Sequence, residues 1–256
     1  MKKIIFIVFI SLILTTFSFQ HLEAADSETQ SETQIEKTRS NWYVSVGGGI
    51  NYRKDSYDEP AHLSYKTGYI VTGAIGGRLE NLNNKFLQNF RVEIEYARRF
   101  NKTDKIELRT VRDGPLSGNS EDARGKVDIE SYQAVINYDF PLRKFTSVKK
   151  ESFLYHLSPY IGVGLGFNRV IVKDLGSATL DMFVPSGHFD LDYKTDYVFC
   201  WSPRIGVTYE ITKHFEIFID GRYHESKKVT VVGLDGLLNH PNLETWSGGV
   251  GIRYNF

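Results

Sequence analysis

The last eleven residues, Trp246-Ser247-Gly248-Gly249-Val250-Gly251-Ile252-Arg253-Tyr254-Asn255-Phe256, decide how this chain is read. Trp246, Gly248, Val250, Ile252, Tyr254 and Phe256 share one parity, and Ser247, Gly249, Gly251, Arg253 and Asn255 share the other. Successive side chains of a strand point to opposite faces, so a period of two means a strand with one greasy face and one polar face. Phe215, Ile217, Ile219 and Tyr223 stand in the same way against Glu216, Asp220, Arg222 and His224, with Phe218 the exception. Phe90, Val92, Ile94 and Tyr96 alternate with Arg91, Glu93, Glu95 and Ala97.

Working outward from these segments, the alternation predicts eight strands, near 42–53, 66–79, 88–99, 127–140, 158–172, 195–209, 214–226 and 244–256. The gaps fall into two sets. Residues 80–87, 141–157 and 210–213 form one set; 54–65, 100–126, 173–194 and 227–243 form the other, which is longer and more polar. An even number of antiparallel strands, with short turns at one end and long loops at the other, predicts an all-β, eight-stranded, up-and-down transmembrane β-barrel over residues 42–256. Each strand is long enough to cross a bilayer when tilted. A soluble lipocalin-like barrel would also alternate. Against it stand Trp42, Tyr52, Tyr69, Tyr96, Tyr138, Phe140, Phe199, Trp201, Tyr209, Trp246 and Tyr254, aromatic residues near strand ends where rings favour the two membrane interfaces.

The N-terminus adds a route. Lys2 and Lys3 precede an apolar run from Ile4 to Phe19, broken only by Ser11, Thr15, Thr16 and Ser18, and the segment closes at Leu22-Glu23-Ala24-Ala25. A charged start, a short apolar centre and small residues at the exit predict a signal peptide over residues 1–24. Residues 25–41 are expected to be a flexible periplasmic segment. They carry the direct repeat Ser27-Glu28-Thr29-Gln30, Ser31-Glu32-Thr33-Gln34 and one aliphatic residue, Ile35, too little apolar surface to fold.

Composition excludes several functions. The chain has 31 Lys+Arg against 31 Asp+Glu, so it lacks the basic excess of a nucleic-acid binder. A single cysteine, Cys200, can form neither an internal disulfide nor a cysteine-based zinc site and is read as a packing residue. His62, His156, His188, His214 and His240 are scattered without metal-ligand spacing, and Asp174, Asp181, Asp190, Asp192 and Asp196 lack that of an EF-hand loop. No cofactor is expected.

Phe90-Arg91-Val92-Glu93-Ile94-Glu95-Tyr96, Ser158-Pro159-Tyr160-Ile161-Gly162-Val163-Gly164-Leu165-Gly166 and Gly248 through Phe256 resemble the third, fifth and eighth strands of opacity-type surface antigens, small barrels of the OmpA/OmpX type. The signal and the Arg-Val-Glu-Ile-Glu strand also resemble surface antigens and adhesins of obligate intracellular bacteria. The resemblance implies an outer-membrane location and a monomer in contact with outer-membrane lipid, whose long outer loops bind a host surface or serum protein. The terminal Ile252, Tyr254 and Phe256 resemble the aromatic signature through which barrel-assembly machinery recognises such chains, with Tyr254 and Phe256 as the assembly signal.

Three groups of residues are candidates for function. Arg91, Glu93, Glu95, Arg204, Glu216, Asp220, Arg222 and Arg253, with Arg53 and Arg78, fall opposite the apolar stripe, so a membrane barrel would turn them into its lumen. Eight strands leave a lumen just wide enough for side chains, so these charges are expected to form a neutralised plug, with a narrow gated pore as the alternative. Among the loops, Arg109 and Arg112 in 100–126, and Met182, Phe183 and Phe189 in 173–194, are the candidate ligand contacts. The third group is His224 and Ser226 with Glu244, which could form a hydrolytic triad and resemble the His-x-Ser of outer-membrane lipid A deacylases. Lys227 stands where that family carries Asn, and the parity of His224 turns it toward the lumen. The primary expectation is therefore a surface antigen and adhesin without catalysis, the second a structural barrel with no ligand, and the third a lipid A hydrolase.

Overall fold

A computed structural model describes residues 41–58, 61–79, 86–108, 120–145, 152–178, 181, 191–195, 197–227, 229–231, 238–240 and 243–256. The predicted signal peptide, residues 1–24, and the repeat segment to Ser40 lie outside the described residues. The strands in chain order are β1 (Trp42–Arg53), β2 (Ser56–Asp58), β3 (Ala61–Tyr65), β4 (Gly68–Arg78), β5 (Phe90–Leu108), β6 (Ser120–Asp139), β7 (Leu157–Ser177), β8 (Leu191–Lys194), β9 (Val198–Glu210), β10 (Phe215–Ser226), β11 (Val229–Val231), β12 (Leu238–His240) and β13 (Leu243–Asn255). A short helix, α1 (Leu142–Phe145), and a 3-10 turn at Phe153–His156 sit between β6 and β7. No described helix is long and apolar enough to cross a membrane.

Eight strands close a ring in the order β1-β4-β5-β6-β7-β9-β10-β13, every neighbouring pair antiparallel, with β13 pairing back to β1. The register can be walked around the wall. Asn41 accepts from the Arg78 amide, and cross-strand partners then run Arg78, Arg91, Asn137, Gly162, Arg204, Arg222, Ser247, Asn51, back to β1 ten residues beyond the start. With about 3.3 Å per residue and about 4.7 Å between strands, that stagger tilts the strands about 41°. The strand connection is sealed where the Phe256 amide donates to the Trp42 carbonyl, 3.1 Å.

Parity sorts the side chains. Along β10, Glu216, Phe218, Asp220, Arg222, His224 and Ser226 are buried inside the ring while Phe215, Ile217 and Ile219 are exposed outside. The same holds around the wall: Ile50, Ile75, Ile136, Ile161, Ile205 and Val250 face outward, half to two-thirds exposed. A continuous apolar exterior around a polar interior is the reverse of a water-soluble barrel, and only lipid matches it. Aromatic rings bound this belt. At the end holding both wall termini, Phe90, Tyr138 and Phe140 stack edge-on, as do Phe215, Tyr254 and Phe256; at the other end Tyr96 meets Tyr132, and Trp201, Tyr223 and Trp246 form a chain. From Trp246 to Phe256 the tilted strand rises about 25 Å, the height of the apolar band of such barrels.

Inward Phe218, the exception to the apolar alternation, has a specific seat. Its ring lies where Gly47 and Gly251 present no side chain: a Cβ on Gly251 would come within 2.2 Å of Phe218 Cζ.

The structure differs from the sequence reading at the outer end. Much of what alternation left as the loops 54–65, 100–126, 173–194 and 227–243 is strand. β5, β6 and β7 run 19, 20 and 21 residues, so they rise about 20 Å beyond the other wall strands. The β2–β3 hairpin pairs with β5, and β8 pairs with β7. β-Bulges hid this from the alternation. The register shifts between Lys102 and Lys105, between Arg124 and Lys126 and between Val172 and Leu175, and a bulge changes the parity of the residues beyond it. Gly125 makes one of them, with φ +131°, where a Cβ would also meet the Leu175 backbone at 2.9 Å.

Candidate functional site

The lumen is built from charged side chains on six strands. Glu95 of β5 is the hub: Arg204 donates to its two oxygens at 2.9 and 2.8 Å, and Arg222 Nη1 donates to both at 3.0 and 3.1 Å. Arg222 also donates to Asp220 at 2.5 Å, and Tyr160 donates to Asp220 at 3.3 Å. Toward the end that holds both wall termini, Glu93 accepts from Tyr43 at 2.7 Å and from Arg91 at 2.9 Å, while Arg91 Nε donates to Asp139 at 2.6 Å. Glu216 accepts from Arg78 at 2.5 Å and from Arg253 at 2.7 Å. Arg204 and Arg253 also approach Glu93, at 3.8 and 3.9 Å, and so join these groups, with all eight of the lumen candidates, into one network. Tyr43, Tyr160 and Asp139 complete it and were not singled out from the sequence, although Tyr43 lies on the parity opposite Trp42 and Val44.

Such pairs are costly to bury singly, and here Glu93, Glu95 and Glu216 each meet at least two guanidiniums. Arg253 lies 4.8 Å from the Tyr43 ring centroid and 5.5 Å from that of Phe218, so rings fill the space the charges leave. Cys200 is fully buried on the same face, its sulfur accepting from Gln133 at 3.4 Å.

Above the network the lumen changes character. Leu63, Tyr65, Ile106, Val127, Ile129, Val170, Val172, Leu175 and Leu243 form one buried apolar cluster contributed by β3, β5, β6, β7 and β13. This cap covers the outer end of the lumen and supports the projecting strands. Arg53 is buried beneath it with its guanidinium 4.0 Å over the Tyr65 ring, and loss of water pushes the Tyr65 phenol up. Val127, Ile129, Val170 and Val172 are in phase with the predicted strands, whereas the bulges at Lys102–Lys105 and Val172–Leu175 turn Ile106 and Leu175 inward out of phase.

The hydrolytic candidates are not assembled. His224 is fully buried, its Nε2 3.2 Å from Asn168 Nδ2, and Ser226 is buried on the same inward face. Glu244, the third member, pairs with Glu225 on the outward face and bonds Lys54 at 3.0 Å. Acid and base therefore stand on opposite sides of the wall. No group of three or more metal-ligating side chains is found among the described residues. Arg109, Arg112, Met182, Phe183 and Phe189, the predicted ligand contacts, lie outside the described residues.

A closed eight-stranded ring with a charged lumen and a lipid-matched belt can now be compared with known proteins. The family model described as outer membrane protein beta-barrel domain matches residues 9–256. The chain belongs to this family. Its place is accordingly the bacterial outer membrane, where the apolar belt meets lipid. No curated protein matches the chain. Among solved structures, this outer-membrane barrel is similar to neisserial surface protein A, at 18% identity over 85% of this chain and 98% of that one, with a TM-score of 0.50. It is also similar to OprG of Pseudomonas aeruginosa, at 12% identity over 85% and 97% of the two chains with a TM-score of 0.47. Ail of Yersinia pestis, solved with the heparin analogue sucrose octasulfate, is 14% identical over 83% and 99%, TM-score 0.39. At these identities the likeness concerns the fold.

Proposed function

We propose that this outer-membrane barrel is an exported surface antigen and adhesin that binds a host surface or serum protein through its outer loops, with neither catalysis nor cofactor. One observation carries this reading: β5, β6 and β7 continue beyond the membrane band on their own apolar core. A barrel that only sealed the membrane has no need of strands projecting about 20 Å past it. Such a platform holds the ends of 109–119 and 179–190 fixed, dividing labour between a rigid scaffold and contacting loops. Arg109, Arg112, Met182, Phe183 and Phe189 are its contact residues in this reading. The lumen pairs and apolar cap serve as a plug rather than a pore, the signal peptide delivers the chain, and Tyr254 and Phe256 present it to the assembly machinery.

The test is a pull-down of host-cell surface and serum proteins with the refolded barrel. Its control replaces 109–119 and 182–190 by short Gly-Ser turns, leaving the strands whole. A protein retained by the full chain and lost with the short loops supports adhesion. No retained protein, or one retained equally by both, refutes the loop assignment and leaves a structural envelope barrel.

A further inference from the structure

Outside the wall, just above the outer aromatic girdle, β5, β6 and β7 carry a pattern of charge that the plug and the loops do not use. Lys102 pairs with Lys126 in the β5–β6 register, and Lys126 pairs with Lys173 in the β6–β7 register. All three are exposed, and no ion pair joins them to a carboxylate among the described residues. Like charges directly opposite one another on adjacent strands repel, so an unneutralised row three strands wide is unfavourable unless an anion sits on it. Lys194 of β8, paired with Ile171, adds a fourth exposed cation one row lower.

The row beneath is different. Arg98, Glu130 and Arg169 are cross-strand partners, and both arginines are engaged: Arg98 bonds Asp128 at 2.7 Å, and Arg169 donates from Nε to Glu130 at 2.7 Å. Asp128 and Glu130 are thus already neutralised, and Asp174 and Asp192, exposed beside Lys173, form no ion pair with the three lysines among the described residues. Arg98 lies 4.7 Å over the Phe100 ring and Arg169 5.2 Å over Tyr197, on the aromatic belt itself. By strand tilt, the lysine row stands about 5 Å beyond Phe100 and about 15 Å beyond Tyr96 and Tyr132, the depth of a saccharide headgroup rather than of acyl chains.

We propose that this face binds the phosphorylated saccharide headgroup of an outer-leaflet glycolipid of the lipopolysaccharide type, with Lys102, Lys126 and Lys173 on its phosphates and the acyl chains against the belt below. The position of the cations selects this occupant. They lie on the outer side of the wall, in continuity with the lipid-facing surface, rather than at the loop tips where a soluble ligand arrives.

The experiment uses the refolded full-length mature chain and its K102Q/K126Q/K173Q variant in detergent micelles, each checked for the heat-modifiable mobility of a folded barrel. Purified lipopolysaccharide with a phosphorylated inner core, the same material after chemical dephosphorylation, inorganic phosphate and a heparin fragment are the probes, with bound adducts read by native mass spectrometry. We expect the phosphorylated glycolipid to bind the wild type, and the triple variant to lose about a hundred-fold in affinity, about 3 kcal/mol at about 1.4 kcal/mol per decade. Dephosphorylation should cause a similar loss, and inorganic phosphate should not compete. Equal binding by wild type and variant, or indifference to dephosphorylation, overturns the proposal. Tighter binding of the heparin fragment at the same lysines overturns it in favour of a soluble polyanion.

Discussion

Replacing Glu95 by Ala should be among the most damaging single changes in the lumen. Its carboxylate accepts four guanidinium contacts between 2.8 and 3.1 Å from Arg204 and Arg222, and all three side chains are less than a twentieth exposed. Arg222 would keep Asp220 at 2.5 Å, but Arg204 would keep only Glu93 at 3.8 Å. Removing one partner of a buried pair strands the other charge, at a cost of about 3–5 kcal/mol. In urea unfolding of the vesicle-inserted barrel, with a slope of about 2 kcal/mol per molar, the midpoint should fall by about 2 M. Glu95→Gln keeps the shape and one acceptor and should fall less. Glu95→Ala combined with Arg204→Ala should recover part of the loss, because the stranded cation is gone. A midpoint for Glu95→Ala within about 0.5 M of wild type, roughly 1 kcal/mol, would refute the reasoning, since it would mean that water already screens these pairs.

Gly251→Ala pushes a methyl against the Phe218 ring and should destabilise the folded barrel by about 1–3 kcal/mol. The same unfolding assay should show Phe218→Leu relieving it. Ile129→Ala opens the apolar cap and should cost about 2–5 kcal/mol, appearing as faster protease cleavage in the projecting strands while the membrane belt stays protected. Deleting Phe256 should lower the yield of assembled barrel in cells but leave refolding of the purified chain in detergent nearly unchanged, as judged by heat-modifiable mobility. Equal losses in both settings would place its role in stability instead of recognition.

The division between outside and inside was legible from the period of two. Trp246 through Phe256 and Phe90 through Ala97 carry their sorting in the sequence, because each strand residue can face only one way and lipid and lumen demand opposite chemistry. The count of eight wall strands follows, and so does the placement of Arg91, Glu93, Glu95, Arg204, Glu216, Asp220, Arg222 and Arg253 on the inward parity. Which carboxylate each arginine meets depends on a stagger of ten that no single strand displays. Glu95 finds Arg204 and Arg222 across the lumen, 109 and 127 residues away along the chain. The apolar cap was hidden for another reason. Ile106 and Leu175 sit beyond bulges at Lys102–Lys105 and Val172–Leu175 that break the period, so they read as loop residues until their partners are known. The lysine row is equally a product of register, for Lys102, Lys126 and Lys173 are unremarkable in sequence and become neighbours only when β5, β6 and β7 pair. Local alternation thus fixes which way a side chain points, whereas long-range pairing fixes what it meets.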